Sequence, residues 1–228
     1  MNFHRYRLTY AKHNKARYIG HLDLQTIFQR AVSRAGIRAR YSEGFNPHPI
    51  LSFAAPLSVG MSALADIVDV DIVEQLNCAD IIERINQALP AGLNVHKCEE
   101  IAISSKSAAA RLRKARYSME IKYEMKGAKD MGALSLEPKD SCASQASQAL
   151  YAAQAVELFN KSKSEISGLV YEIHADGETP GKITAIVACG GFGNLKPSRL
   201  AEELCGLTNV TLCPFSTEYT REELELAE

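Results

Sequence analysis

The sequence predicts an α+β protein built from two consecutive βαββαβ units. Three observations predict it. Apolar residues make up 46% of the 228, enough to bury the core of one large domain or two small ones. Segments with period-two alternation and segments with a helical stripe follow one another in the same order twice. Between the two rounds, residues 102–114 carry small residues and no periodic apolar pattern, and read as a linker.

In the first round, His4–Lys12 alternates: Tyr6, Leu8 and Tyr10 on one face, Arg5, Arg7 and Thr9 on the other. That is a half-buried strand. After a loop to Gly20, Leu24, Ile27, Phe28, Ala31, Val32 and Ala35 fall on one stripe, giving a helix over about His21–Ala35. Asp23 in its first turn and Arg34 in its last suit the helix dipole, and Gly36 is a natural stop. Ile37–Ser42 reads as a strand. Glu43–Pro49 holds Gly44, Pro47 and Pro49 and is a turn. Ile50–Ala55 is an apolar strand closed by Pro56. Ile67–Val73 turns Val68, Val70 and Ile72 inward and Asp69 and Asp71 outward. Asn77 caps a second helix with Asp80 at N3, and Pro90 and Gly92 end it. Leu93–Ile101 closes the unit, which is ferredoxin-like and spans 1–104. A strand order of 4-1-3-2 sets Asp69 and Asp71 opposite Arg5 and Arg7, as cross-strand ion pairs.

In the second round, spanning 115–228, Tyr117–Met125 alternates cleanly. Lys126–Lys139 reads as loop, and Asp140 or Ser141 caps a helix striped by Ala146, Ala149, Leu150, Ala153 and Val156. Ile166–His174 and Lys182–Cys189 flank Glu178-Thr179-Pro180-Gly181, a type II hairpin turn. Pro197–Leu204 reads as helix and Val210–Phe215 as strand. Thr220-Arg221-Glu222-Glu223 has the capping-box pattern of a short terminal helix.

Composition narrows the function. No apolar run approaches the roughly 18 residues that span a bilayer, and MNFHRYRLTY has charges but no apolar signal region. A cytoplasmic protein without membrane contact is expected. Six cysteines form neither CxxC nor CxxxC, so they read as scattered reduced thiols, with no metal site and no cofactor in this chain. The net charge of −1 hides an asymmetry: residues 1–60 carry nine Lys or Arg against two acids, +7, leaving −8 for the rest. A basic lobe attracts polyanions, unless it is an ordinary solvated face or meets the acidic half of the chain.

Two stretches could carry chemistry. His21 opens the first helix, where unpaired backbone N–H groups favour an anion, and Lys15 and Arg17 lie just before it. Asn46 and His48 sit in the proline-stiffened turn. A turn folded back over the helix start would gather both histidines, Asn46 and the two cations, for a phosphate or for acid–base work; otherwise each His is an ordinary loop residue. Arg38 and Arg40 extend the basic surface. The second stretch is Gly190-Gly191-Phe192-Gly193-Asn194-Leu195-Lys196-Pro197, a Gly-rich turn into a helix with Pro in its first turn. Gly191, Gly193, Asn194 and Lys196 are its phosphate-binding candidates. The spacing is neither a Walker motif nor GxGxxG. Arg111, Arg113, Lys114 and Arg116 could track a phosphate backbone or be a solvated linker.

KARYIGHLDL at Lys15–Leu24 and GFNPHPILSFAAPLSVG at Gly44–Gly60 resemble the bacterial radical-SAM-linked domain family of unknown function. Gly193–Pro197 and Tyr219-Thr220-Arg221 are similar to its later blocks, while 126–163 carries nothing over. Its members look like C-terminal extensions or neighbours of cobalamin-binding-type radical SAM proteins. The resemblance implies an accessory module that binds RNA or another phosphate-rich ligand for a radical SAM protein, or a protein-only adaptor docking that partner. A fold-level similarity to CRISPR repeat-processing endoribonucleases implies a third reading, a metal-independent ribonuclease or RNA-modifying enzyme using His21 and His48.

Overall fold

The computed structural model describes residues 3–125, 145–191, 193–214 and 216–227. The loop expected over 126–139 and the helix cap expected at Asp140 or Ser141 lie outside them. The chain runs β1 (His4–Lys12), a 3-10 turn (Asn14–Tyr18), α1 (His21–Arg34), β2 (Leu51–Phe53), β3 (Ser62–Ile72), α2 (Cys78–Ala88), β4 (Leu93–Ile101) and α3 (Ala108–Arg111). It continues with β5 (Leu112–Glu120), β6 (Tyr123–Met125), α4 (Gln145–Lys161), β7 (Val170–Ala175), β8 (Lys182–Ala188), α5 (Pro197–Leu207), β9 (Val210–Leu212) and β10 (Glu218–Leu226). It is a mixed α+β protein with mostly antiparallel pairing. Two compact units divide it. Met1–Ala115 joins Cys189–Phe192 and Thr220–Glu228; Arg116–Ala188 joins Gly193–Tyr219.

In the first unit β1 lies between β4 and β3, and β2 pairs with β3. Tyr6, Leu8 and Tyr10 of β1 and Val68, Val70 and Ile72 of β3 turn to one face. There they meet Leu24, Phe28 and Val32 of α1 and Ile81 and Ile85 of α2. Each large apolar side chain removed from water here contributes about 1.5–3 kcal/mol. The helices also latch at their ends: Arg34 donates to Ala88 O at 2.7 Å, and Arg84 donates twice to Ala35 O at 2.7 and 2.9 Å. On the other face Arg5 stands opposite Asp71 and Arg7 opposite Asp69. Both pairs are bidentate, at 2.7 and 3.1 Å and at 2.8 and 3.0 Å. These are the cross-strand ion pairs that the alternation predicts.

Three local expectations fail. Ile37–Ser42 is not a strand but makes isolated bridges, Ala39 to Ile72 and Tyr41 to Pro49. β2 occupies the neighbouring edge of β3 at Val68–Val70, so a single position at Ile72 is left to it. The 117–125 strand breaks after Glu120. Ile121 N–H goes to Gly181 O and Lys122 N–H to Thr217 Oγ1, and Tyr123–Met125 pairs with β9 instead. The terminal residues are not a helix: Thr220 and Arg221 pair in parallel with Ser62 and Ala63 of β3. A capping box is a local signal, and here a long-range ladder overrides it.

In the second unit β7 and β8 form the expected hairpin. Lys182 N–H closes its turn on Thr179 O, with Gly181 at φ 79°, as a type II turn requires. α4 and α5 bury Tyr151, Ala155 and Phe159 and Leu200, Ala201 and Leu204. Tyr123 stacks on Tyr151 with centroids 4.1 Å apart, and the Tyr151 hydroxyl lies 3.2 Å from Cys205 Sγ.

Candidate functional site

Charged groups collect beneath the start of α1. Lys12, Asp66 and Arg221 are each 1% exposed. Arg221 donates to both Asp66 oxygens, at 2.7 and 2.5 Å, and to the carbonyls of Ala55 and Pro56 at 3.2 and 3.3 Å. Tyr10 OH donates to Asp66 Oδ2 at 3.4 Å. Lys12 Nζ donates to Ile19 O at 2.8 Å, holding the chain just before Gly20, the α1 N-cap. Burial lowers the Lys12 pKa, and burial with the Asp66 charge holds the Tyr10 phenol well above its usual value. Lys12 and Arg221 outnumber Asp66, which gives the site net positive charge.

His21 sits over this cluster. Its ring packs edge-on against Phe53 at 5.6 Å and lies 3.3 Å from Gln25 Nε2. Burial, then the charges of Arg221 and Lys12, lower its pKa, which favours neutral imidazole. The cluster draws on three of the four blocks that carry the family resemblance: His21 from the first, Phe53, Ala55 and Pro56 from the second, Arg221 from the last. Cys189 feels the same Arg221 and Asp66 charges, and burial raises its thiol pKa. Gly190 beside it has φ 113°, and a Cβ there would lie 2.4 Å from Leu112 O.

His48 is elsewhere. It lies within 3.1 Å of Ser42 Oγ and of Asn46 O. It lines a groove of about 360 Å³ with Gln29, Arg30, Ser33, Arg34, Tyr41 and the two prolines, along the second half of α1. From His21 to Gln29 the helix rises about 12 Å, so the turn does not fold back over the helix start. Ser33 Oγ and Tyr41 OH, 3.3 Å apart, tie the groove's walls together. Among the described residues no carboxylate lines it.

The other sequence candidates divide as follows. Lys15, Asn46, Asn194 and Lys196 are exposed, as is Gly191, and Gly193 is half-buried. Arg17 stacks on Tyr18 at 5.0 Å. Arg38 pairs with Glu74 at 2.9 Å; Arg40 lies 3.6 Å from Asp71 and over the Phe3 ring. Together with Arg5 and Arg7, these pairs neutralise much of the basic lobe. In the linker, Arg111 donates to Ala227 O at 2.6 Å and Lys114 lies 3.8 Å from Glu225. Gly193, Asn194 and Lys196 belong to the second unit.

Tyr10, Lys12, Asp66, Arg221 and the groove residues Arg30, Arg34 and Tyr41 are not among the sequence candidates. Lys12 and Asp66 do carry a signal. Each falls in phase with the apolar face of its strand, Lys12 with Tyr6, Leu8 and Tyr10, and Asp66 with Val68, Val70 and Ile72. Charge in core phase marks either a strand end or a buried partner.

Fold and site together define an α+β protein with a polar cluster buried under one helix start and a cationic groove along the same helix. The chain belongs to a family described as uncharacterized proteins conserved in bacteria (DUF2344), which it matches over residues 5–197. That span includes Tyr10, Lys12, His21 and Asp66 and stops short of Arg221. No curated protein matches it. Among the described residues no helix is long and apolar enough to cross a membrane, and no three His, Cys, Asp or Glu side chains are grouped to hold a metal ion.

Proposed function

We propose that the protein is an accessory module of a radical SAM system that binds RNA or another phosphate-rich ligand along the outer face of α1. The radical SAM link rests on the resemblance of the Lys15–Leu24 and Gly44–Gly60 blocks. The carrying observation is the groove: Arg30, Arg34, His48 and Tyr41 with a proline wall and no lining carboxylate. Guanidinium forks fit phosphate oxygens, an exposed tyrosine accepts a stacked base, and proline holds the wall without an ordering cost. The footprint is small, because Arg5, Arg7, Arg38 and Arg40 are held by carboxylates. Two or three phosphates on a single strand give a log–log salt slope of about −1.5 to −2.

Fluorescence anisotropy of a labelled single-stranded RNA, titrated with salt, tests this. Arg30→Glu is expected to weaken binding about tenfold or more, while Arg199→Glu, on α5, leaves it unchanged. Equal effects of both substitutions, or no binding at low salt, would refute the reading. A protein-only adaptor is the second reading. It is favoured by the exposed apolar side chains Tyr18, Leu22 and Val59 around the α1 start, at 59%, 76% and 61% exposure. A binding failure at low salt points to that face. The ribonuclease reading lacks the geometry for one acid–base pair, since His21 and His48 stand at different places along α1.

A further inference from the structure

We propose that Cys78 and Cys98 are a redox-active pair that closes to a disulfide by exchange with a low-molecular-weight disulfide such as oxidised glutathione. Cys78 is the first residue of α2 and Cys98 lies near the end of β4. Asn86 fixes the two elements against each other, donating to Val95 O at 2.7 Å and accepting from Val95 N–H at 2.8 Å. From Asn86 back to Cys78 the helix rises about 12 Å, and from Val95 on to Cys98 the strand rises about 10 Å. The two thiols therefore arrive at the same place, and they share a hydrogen bond. The nearby Tyr6 hydroxyl both donates to Leu76 O and accepts from Leu76 N–H, at 2.9 and 3.0 Å, which holds the chain entering α2. Both cysteines are half-buried against the same core.

The chemistry runs in two displacements. The Cys78 thiolate attacks one sulfur of the small disulfide, forming a mixed disulfide and expelling one thiolate. The Cys98 sulfur then attacks Cys78 Sγ, closes the bond between them and expels the second thiolate. The two protons given up by the protein end on the two small thiols, so two protein thiols are oxidised as one small disulfide is reduced. Burial, then the Cys78 thiol and the nearby Glu99 and Glu100 charges, raises the Cys98 pKa. That suits Cys98 to the second, intramolecular step, where proximity replaces intrinsic reactivity.

The test uses the full chain, folded by circular dichroism, incubated with oxidised glutathione, alkylated and mapped by mass spectrometry without reduction. A Cys78–Cys98 crosslinked peptide, lost on reduction, is the expected result. Cys98→Ala should instead leave a stable glutathione adduct on Cys78. An unresolved adduct on Cys78 of the unsubstituted protein, or crosslinks through other cysteines instead, would overturn the proposal. The mapping of the unsubstituted protein decides the matter even if the variant does not fold.

Discussion

Replacing Arg221 with Ala removes the guanidinium from a site where it and its partner are each 1% exposed. Four contacts go with it, two to Asp66 and two to the carbonyls of Ala55 and Pro56. Asp66 is left as a buried carboxylate whose remaining side-chain donor is Tyr10 OH at 3.4 Å. Removing one member of such a pair costs about 3–5 kcal/mol. For a chain of this size that lowers the thermal midpoint by roughly 10–15 °C. The double variant Asp66→Leu/Arg221→Met removes both charges and fills the space with apolar volume. It should lie within about 2 kcal/mol of the parent, well above the single variant. The chain has no tryptophan, so urea unfolding followed by far-UV circular dichroism is the assay. A single-variant loss below about 1 kcal/mol, the size of an exposed pair, would refute the reasoning. So would a double variant no more stable than Arg221→Ala.

Two further outcomes follow from the same unit. Gly190→Ala, at φ 113° and with its new Cβ 2.4 Å from Leu112 O, should cost at least about 2 kcal/mol. Gly191→Ala, whose Cβ meets nothing within 4 Å, should stay within about 1 kcal/mol in the same urea assay. The lowered pKa of His21 means that the unfolded chain takes up its proton first on acidification. Its contribution to stability is thus whole above the unfolded value, about 6.5, and is lost as pH falls below it toward the folded value. His21→Gln should flatten the urea midpoint between pH 7.5 and 5 relative to the parent, and an unchanged slope in the variant would contradict this.

Much of the first unit was legible because its signals are local. The alternation of Tyr6, Leu8 and Tyr10 sets the buried face of β1, and the stripe from Leu24 to Val32 sets that of α1. The pairing of Arg5 with Asp71 and Arg7 with Asp69 could be read because two alternating strands in one expected order fix the register. What escaped depends on partners far along the chain. Arg38 and Arg40 look like free surface cations until Glu74 and Asp71 are brought beside them. Arg221 looks like part of a helix start until it meets a carboxylate 155 residues away. The distance between His21 and His48 was likewise invisible, because it depends on which part of α1 the proline turn lies against.

The placement of β10 gives the order of synthesis a meaning. Asp66 leaves the ribosome 155 residues ahead of Arg221, a wait of roughly 8–30 s. Through that interval a buried-site carboxylate has no cation, and the edge of β3 at Ser62–Ala63 has no neighbour to occupy it. An open edge is an invitation to a wrong strand. The last residues to be made therefore act as a seal, applied to the first unit only after the second has been written.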